Sequence, residues 1–260
     1  MKTLTILKLG GSIITHKNLD GRFNAPVVRR LGKEIKKARP YPLILIHGAG
    51  GRTHRLAKQF KLQGGAKSHS QIIGSLATHL AAAQVTQDLS QTLLKEGLPV
   101  LPLQTSAVFA AVSGRAKLIS PPLIQQALNA GLIPMLSGDM VLDRQTNLSI
   151  LSGDSIAITL ADTFNAKRIV FATDVDGLFN KDPKTYRNAR LIEKLTPKQL
   201  KEMLLVVPKT ERDATGEMLG KIAKISTPKR PVPISIINGL RSGRLEKALC
   251  GRGVIGTHIK

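Results

Sequence analysis

The stretch "LTILKLGGSIITHK" (residues 4–17) governs the interpretation of the rest of the chain. Its first half is an apolar run that predicts a buried β-strand, and Lys8 falls where that strand ends. Gly10, Gly11 and Ser12 follow, and glycine lets a backbone come close to a ligand. Successive N–H groups at such a point form a nest that binds anions, helped by the next helix's N-terminus. The stretch, with Lys17 at its end, therefore predicts a site for phosphate groups.

The rest of the chain alternates between strand-like and helix-like segments. Apolar strand-like runs lie at 4–9, 43–46, 99–103, 132–136, 168–172, 233–237 and 254–259. Helical patterns lie at 24–38, 69–96 and 121–131, and 141–151 has the alternation of a β-hairpin. This alternation predicts an α/β fold, a three-layer α/β/α sandwich with a mostly parallel central sheet. We expect one domain over 1–260, with lobes of about 1–165 and 166–260.

The composition limits the class of protein. The 260 residues include one cysteine, Cys250, so no disulfide forms within one chain, which fits a reducing cytosol. No run reaches about 18 uninterrupted apolar residues, so we expect no membrane span. The apolar run at the start is cut by Lys8 and is too short for a signal peptide, so we expect a cytoplasmic protein.

The charge is strongly positive. Lys and Arg number 39 against 17 Asp and Glu, a formal net charge of +22. Such a bias fits a nucleic-acid or membrane partner, or a cationic surface that attracts small phosphorylated molecules. Aromatic residues make up only 3% of the chain, and it has no helix-turn-helix, zinc-finger or aromatic RNA-binding motif. We therefore favour a solvated basic surface and expect no nucleic-acid partner.

Three more glycine clusters follow predicted strands: "HGAGGRTH" (47–54), "LSGDS" (151–155) and "ATDVDG" (172–177). Ligands of open parallel sheets bind at the carboxyl ends of the strands, which is where these clusters fall. The chain has no GxxxxGK[ST] motif, and no GxGxxG follows its first strand. The pattern thus predicts a site for more than one phosphate that is neither a P-loop nor a dinucleotide fold.

The order of these motifs resembles that of the amino acid kinase superfamily. The resemblance rests on "LKLGGSIIT", "IHGAGGRTH", "LSGDSIAITLA", "ATDVDGLF", "DATGEMLGKI", "INGL" and "GTHI". Within the superfamily the chain is most similar to isopentenyl phosphate kinases, because a histidine closes the second glycine cluster and Lys17 follows the first. The resemblance implies an ATP-dependent kinase of isoprenoid biosynthesis that phosphorylates isopentenyl phosphate by direct in-line transfer. It also implies Mg²⁺ held by the ATP phosphates rather than by the protein, and a homodimer.

The resemblance also assigns roles to individual residues. The implied catalytic residues are Lys8, Lys17, His54, Asp154 and Lys221. The acceptor is expected at Ala49, Gly50, His54 and Gly153, and ATP at Lys8, Gly10, Gly11, Ser12, Gly50, Thr173, Asp174, Gly216 and Lys221. From the residues alone, other interpretations stay open: Asp154 as a helix N-cap, Asp174 and Asp176 as turn residues, and His54 as a structural histidine. His47 is assigned to the strand end.

The second glycine cluster departs from the pattern of these kinases. Arg52 stands where an aromatic residue is usual and Thr53 where glycine is usual. Acceptors other than isopentenyl phosphate therefore stay open, such as a fosfomycin-type phosphonate or another alkyl phosphate. A non-catalytic protein that senses a nucleotide or binds nucleic acid is the alternative from a different class. For an apolar acceptor tail, helix 69–96 offers Ile72, Ile73, Leu76 and Leu80, which are otherwise expected in the core.

Overall fold

A computed structural model describes residues 3–16, 21–181, 183, 186–206 and 230–260. Three of the predicted site residues, Lys17, Gly216 and Lys221, lie outside these residues.

The strands and helices alternate along most of the described chain. The strands are β1 (Thr5–Leu9), β2 (Leu43–His47), β3 (Val100–Pro102), β4 (Phe109–Val112), β5 (Arg115–Leu118), β6 (Ile133–Ser137), β7 (Asp139–Asp143), β8 (Asn147–Leu151), β9 (Arg168–Thr173), β10 (Leu178–Phe179), β11 (Leu191–Ile192), β12 (Lys194–Leu195), β13 (Ile234–Asn238) and β14 (Gly256–Ile259). The helices are α1 (Gly11–Ile14), α2 (Ala25–Ala38), α3 (Gly50–Gln59), α4 (His69–Lys95), α5 (Thr105–Val108), α6 (Pro121–Asn129), α7 (Gly153–Thr163), α8 (Pro197–Val206) and α9 (Arg244–Leu249), with a 3₁₀ turn at Leu62–Gly64.

The main sheet has eight strands in the order β12-β14-β13-β9-β1-β2-β6-β3. Neighbouring strands are parallel except for β13 and β14, which are antiparallel. A four-stranded sheet, β5-β4-β7-β8, and the short pair β10-β11 lie outside it. The predicted mostly parallel sheet is confirmed, with β1 near its middle.

Alternate residues of the central strands supply two separate hydrophobic cores. Ile6 and Ile44 point to one face, where they pack in a cluster with residues of α6, α7 and α8. Leu7 and Leu45 point to the other face and pack with residues of α2, α4 and α9. Because successive side chains of a strand alternate between faces, a sheet covered by helices on both sides needs near-continuous apolar strands. The predicted three layers are thereby confirmed.

The long predicted helix is present as α4. Ser68 and Gln71 form a capping box at its start, since the Ser68 hydroxyl accepts the Gln71 N–H and the Gln71 side chain accepts the Ser68 N–H. The four apolar residues for which a tail pocket or the core was expected are not in the core: Ile72, Ile73, Leu76 and Leu80 are 36–67% exposed.

The hairpin of β4 and β5, "FAAVSGRAKL", was not predicted; three of its residues are alanine, which is depleted in strands. Helix α3 was not predicted either, because its first residues are glycines of the second cluster. The predicted hairpin at 141–151 is confirmed by β7 and β8. Among the described helices, none combines the length and the apolar character needed to cross a bilayer.

Candidate active site

The carboxyl ends of three central strands bring the first, second and fourth glycine clusters together. In the sheet register Leu9 of β1 lies beside His47 of β2 and Ala172 of β9. Two backbone bonds continue this pairing beyond the strands: Gly10 donates to the Ala172 carbonyl at 2.7 Å, and Gly48 donates to the Leu9 carbonyl at 2.9 Å. The segments after the three strands therefore start side by side at one edge.

The first two clusters touch backbone to backbone. A Cβ placed on Gly48 would lie 2.5 Å from the Gly11 nitrogen, and one placed on Gly11 would lie 2.7 Å from the Gly50 nitrogen. Gly50 has φ of +82°, a conformation that favours glycine. The buried Thr15 hydroxyl donates to the Gly11 carbonyl at 2.8 Å. Only glycine at positions 11, 48 and 50 allows the two backbones to come this close, which explains the glycines of the two clusters.

Three helices begin at this edge. These are α1 at Gly11, α3 at Gly50 and α7 at Gly153. The first N–H groups of a helix have no partner within it, and the helix dipole makes that end positive. A Cβ placed on Gly138 would lie 3.1 Å from the Gly153 nitrogen, and one placed on Gly153 would lie 3.3 Å from the His47 carbonyl. The start of α7 is therefore packed against the ends of β2 and β6.

A buried ion pair lies among these helix starts. Lys8 Nζ lies 3.0 Å from Asp154 Oδ1, and the two side chains are only 10% and 6% exposed. The interpretation of Asp154 as an N-cap is wrong, because the Ser152 hydroxyl caps α7 by accepting the Ser155 N–H at 3.1 Å. Asp154 instead lies in the first turn of α7, where its carboxylate holds the Lys8 ammonium beside Gly153.

The fourth cluster is tied to the first by a side-chain contact. The Ser12 hydroxyl donates to Asp174 Oδ1 at 2.8 Å, and the Thr173 hydroxyl donates to the same oxygen at 3.3 Å. Asp176, two residues on, accepts hydrogen bonds from Asn238 and Arg244 instead. Asp174 and Asp176 thus have different partners, although both follow β9.

His47 is fully buried at the end of β2 and is kept neutral. Its Nδ1 faces the Gly48 carbonyl at 3.1 Å and its Nε2 faces the Thr86 hydroxyl at 3.0 Å. Burial lowers the pKa of His47 to about 4, and the nearby Lys8 charge adds to this, whereas the bond to Gly48 opposes it. The assignment of His47 to the strand end is correct, and its ring contacts the Gly48 carbonyl of the second cluster and Thr86 of α4.

Sequence reasoning missed a polar cluster further along the same edge. His79 of α4 and Asp139, which follows β6, are joined by an Nδ1–Oδ1 contact of 2.8 Å. Gln104, which follows β3, lies 2.8 Å from His79 Nε2. Burial raises the pKa of Asp139, and His79 partly offsets the rise. No spacing signal reveals this cluster, because its members come from three elements far apart in sequence.

Most of the predicted site residues that the structure describes meet at this edge. They are Lys8, Gly10, Gly11, Ser12, Ala49, Gly50, Gly153, Asp154, Thr173 and Asp174. His54, which closes the second glycine cluster, lies in helix α3 rather than in a loop. It is one turn past Gly50 and is exposed. Over the described ranges, no group of three or more His, Cys, Asp and Glu residues has the arrangement of a metal site. The arrangement suits two anions held next to each other by backbone N–H groups and Lys8.

Comparison with known proteins identifies relatives of this chain. The model of the amino acid kinase family matches residues 3–238. Isopentenyl phosphate kinases from Methanothermobacter thermautotrophicus and Methanocaldococcus jannaschii are each 31% identical to it, with 98% of this chain and 98% of each relative covered. A solved structure of an isopentenyl phosphate kinase superposes with a TM-score of 0.85 at 30% identity, covering 98% of this chain and all of that chain.

The buried His47 predicts a loss of stability in mild acid. Its imidazole is protonated below about pH 6.5 in the unfolded chain but only below about 4 in the folded one. The free energy of unfolding is therefore unaffected by this residue above about pH 6.5. It falls as the pH drops towards 4, by about 3 kcal/mol in total, because the unfolded chain takes up a proton that the folded chain does not. Urea denaturation between pH 7.5 and 4.5 measures how the free energy of unfolding changes with pH. His47→Gln should flatten this dependence, and His69→Gln, at an exposed position, should leave it unchanged. Equal slopes in the wild type and His47→Gln would contradict this assignment.

Proposed function

The chain belongs to the amino acid kinase family, and we propose that it is an ATP-dependent kinase that converts isopentenyl phosphate to isopentenyl diphosphate. The single observation that carries the reaction type is the buried Lys8–Asp154 pair at the junction of two glycine clusters. The acceptor is supported by the near-full-length similarity to isopentenyl phosphate kinases at 31% identity. We place the reaction in the cytoplasm.

The chemistry needs cations and N–H donors rather than a base. A phosphate monoester has a second pKa of about 6, so the attacking oxygen is already anionic at neutral pH. The barrier is the repulsion between acceptor and donor phosphates and their alignment in line. One cation–anion contact at about 4 Å is of order 4 kcal/mol at an effective dielectric of about 20, before desolvation. Lys8, held between the clusters by Asp154, supplies such a contact on the phosphates that pass between donor and acceptor.

The two phosphate-bearing substrates occupy neighbouring parts of the edge. The acceptor phosphate lies on the start of α3, with Ala49, Gly50, His54 and Gly153 as its ligands, in the lobe of about 1–165. The nucleotide lies on Gly10–Ser12 and on Thr173 and Asp174, where the lobe of about 166–260 begins. Ser12 and Asp174 join the two lobes through their 2.8 Å hydrogen bond. Lys17, Gly216 and Lys221 are assigned to the same phosphates on the family resemblance alone.

The residues present fit a nucleotide whose phosphates carry Mg²⁺. The close approach of the glycine clusters brings the N–H groups at the starts of α1 and α3 together, and the carboxylates of Asp154 and Asp174 are engaged by Lys8 and Ser12. Bound Mg²⁺ would neutralise charge on the donor phosphates, and phosphate oxygens are its preferred ligands. The chain's own part is to hold and orient those phosphates.

Turnover with a panel of acceptors tests the proposal. We expect ATP consumption with isopentenyl phosphate and not with glutamate, UMP or fosfomycin. Lys8→Met should lower kcat by about 10³-fold or more, because several kcal/mol of charge stabilisation is lost. Asp154→Asn should lower kcat less, because Lys8 remains but is no longer fixed. Lys33→Met, an exposed position on α2, serves as the control.

Two results would contradict this. Consumption of ATP with UMP or glutamate alone would overturn the acceptor, and full activity of Lys8→Met would overturn the reaction centre.

We also propose a homodimer, formed through α4. Ile73, Leu76 and Leu80 recur at helical spacing on one exposed face of this helix, and Leu80 is 67% exposed. Contiguous exposed apolar residues on a soluble protein mark an interaction surface. Light scattering should give about twice the 28.0 kDa chain mass, and Leu76→Glu with Leu80→Glu should give the monomer. Leu94→Glu, 64% exposed near the end of the same helix, is the control; a monomeric wild type would rule the dimer out.

A further inference from the structure

Glu34 is a buried acid on α2 with an unusual set of partners. The residue is 7% exposed, and both of its carboxylate oxygens accept backbone N–H groups at the start of α9. Oε1 accepts from Gly243 at 3.1 Å and Oε2 accepts from Glu246 at 3.2 Å. Gly243, the residue before α9, has no side chain to cap the helix. Glu34 therefore caps α9 from another helix, more than 200 residues away in sequence.

Arg30, one turn earlier on α2, extends this contact. Its Nη1 donates to Glu34 Oε1 at 2.6 Å, and its Nη2 donates to the Gly239 carbonyl at 2.5 Å. Arg30 and Glu34 together hold both ends of the segment 239–246. All of these bonds to the segment go to backbone groups, so they fix the path of the chain rather than one side chain.

Hydrogen bonds also connect this segment and the preceding Asn238 to the end of β9 and the residues that follow it. The Gly239 N–H donates to the Thr173 carbonyl at 2.8 Å. Asn238 donates to Asp176 Oδ1 at 2.9 Å, and Arg244 donates to the same oxygen at 2.6 Å. Thr173 is followed by Asp174, the residue that binds Ser12. The bonds thus run without a break from α2 to the residues assigned to the nucleotide.

A role in stability alone accounts poorly for this arrangement. The Glu34 side chain is 8% exposed and that of Arg30 is 25% exposed, so desolvation offsets part of their attraction, and apolar residues of similar size can serve stability as well. Directional bonds to backbone groups instead fix geometry, which a phosphate site needs to within a fraction of an ångström.

We propose that Arg30 and Glu34 are positioning residues that set the nucleotide side of the active site through the segment 239–246. The inference rests on the proposed function, because it takes Thr173 and Asp174 as ATP ligands. The acceptor side, at the starts of α3 and α7, makes none of the contacts just described with these two residues. Loss of either residue should therefore weaken ATP binding and leave acceptor recognition unchanged.

Binding and kinetics of matched variants test the inference. Calorimetric titration with Mg-ATP in the absence of acceptor gives Kd, and steady-state rates give the two KM values. Arg30→Gln and Glu34→Gln should each raise the Kd and KM for ATP about tenfold, with the KM of isopentenyl phosphate within twofold of wild type. Arg30→Lys should restore part of the affinity, because a lysine keeps the charge and one donor. Arg29→Gln, at the exposed neighbouring position, should bind ATP like the wild type.

The outcomes separate positioning from stability. Variants with a lower melting temperature but an unchanged Kd for ATP would overturn the inference, as would equal losses for both substrates. If Glu34→Gln does not fold, Arg30→Lys and Arg30→Gln decide by the same criterion. A wild type that binds no Mg-ATP would overturn the proposed function as well. If it binds Mg-ATP but does not use isopentenyl phosphate, only the acceptor is overturned, and the Kd values of the variants for Mg-ATP still decide this inference.

Discussion

The contact between the backbones of Gly11, Gly48 and Gly50 is the constraint on which the rest of the site depends. Two parallel strands side by side place the segments that follow them a few ångströms apart, and side chains there would force them apart. With glycine at these positions, α1 and α3 start against each other and their free N–H groups share one small volume. Lys8 completes that volume because it lies near the end of β1, the strand that leads into α1, and Asp154 of α7 holds its ammonium there.

Two electrostatic effects differ in range: the net charge acts over the whole surface, and fixed groups act within the site. The formal charge of +22 raises the concentration of anions near the surface, but it is spread along the chain and selects no geometry. Among the described residues, we assign this selection to the buried Lys8 and to the fixed dipoles at the starts of α1, α3 and α7. These groups need no reorganisation when charge moves between two phosphates, so under the proposed function preorganisation rather than net charge lowers the barrier. The neutral state of His47 fits this picture, since a second buried charge behind the cradle would disturb the balance set by Lys8 and Asp154.

The fold was largely predictable from the sequence, because each central strand buries both faces and therefore appears as a continuous apolar run. The positions of Gly10, Gly11 and Gly50 in the site followed from the rule that ligands bind at strand ends. What the sequence did not reveal depends on distant partners. The N-cap position of α7, left open for Asp154, is taken by Ser152. The contacts of Glu34 with α9 and of His79 with Asp139 join elements whose separation carries no periodic signal.

The most direct test of the account is the turnover and Mg-ATP affinity of Gly48→Ala, compared with Gly253→Ala, where a Cβ meets nothing within 4 Å. A methyl group at residue 48 would collide with the Gly11 nitrogen, so the two clusters must separate. The account predicts that Gly48→Ala folds with reduced stability and loses at least 100-fold in turnover and about tenfold in ATP affinity, while Gly253→Ala matches the wild type. Turnover of Gly48→Ala within twofold of the wild type would contradict it.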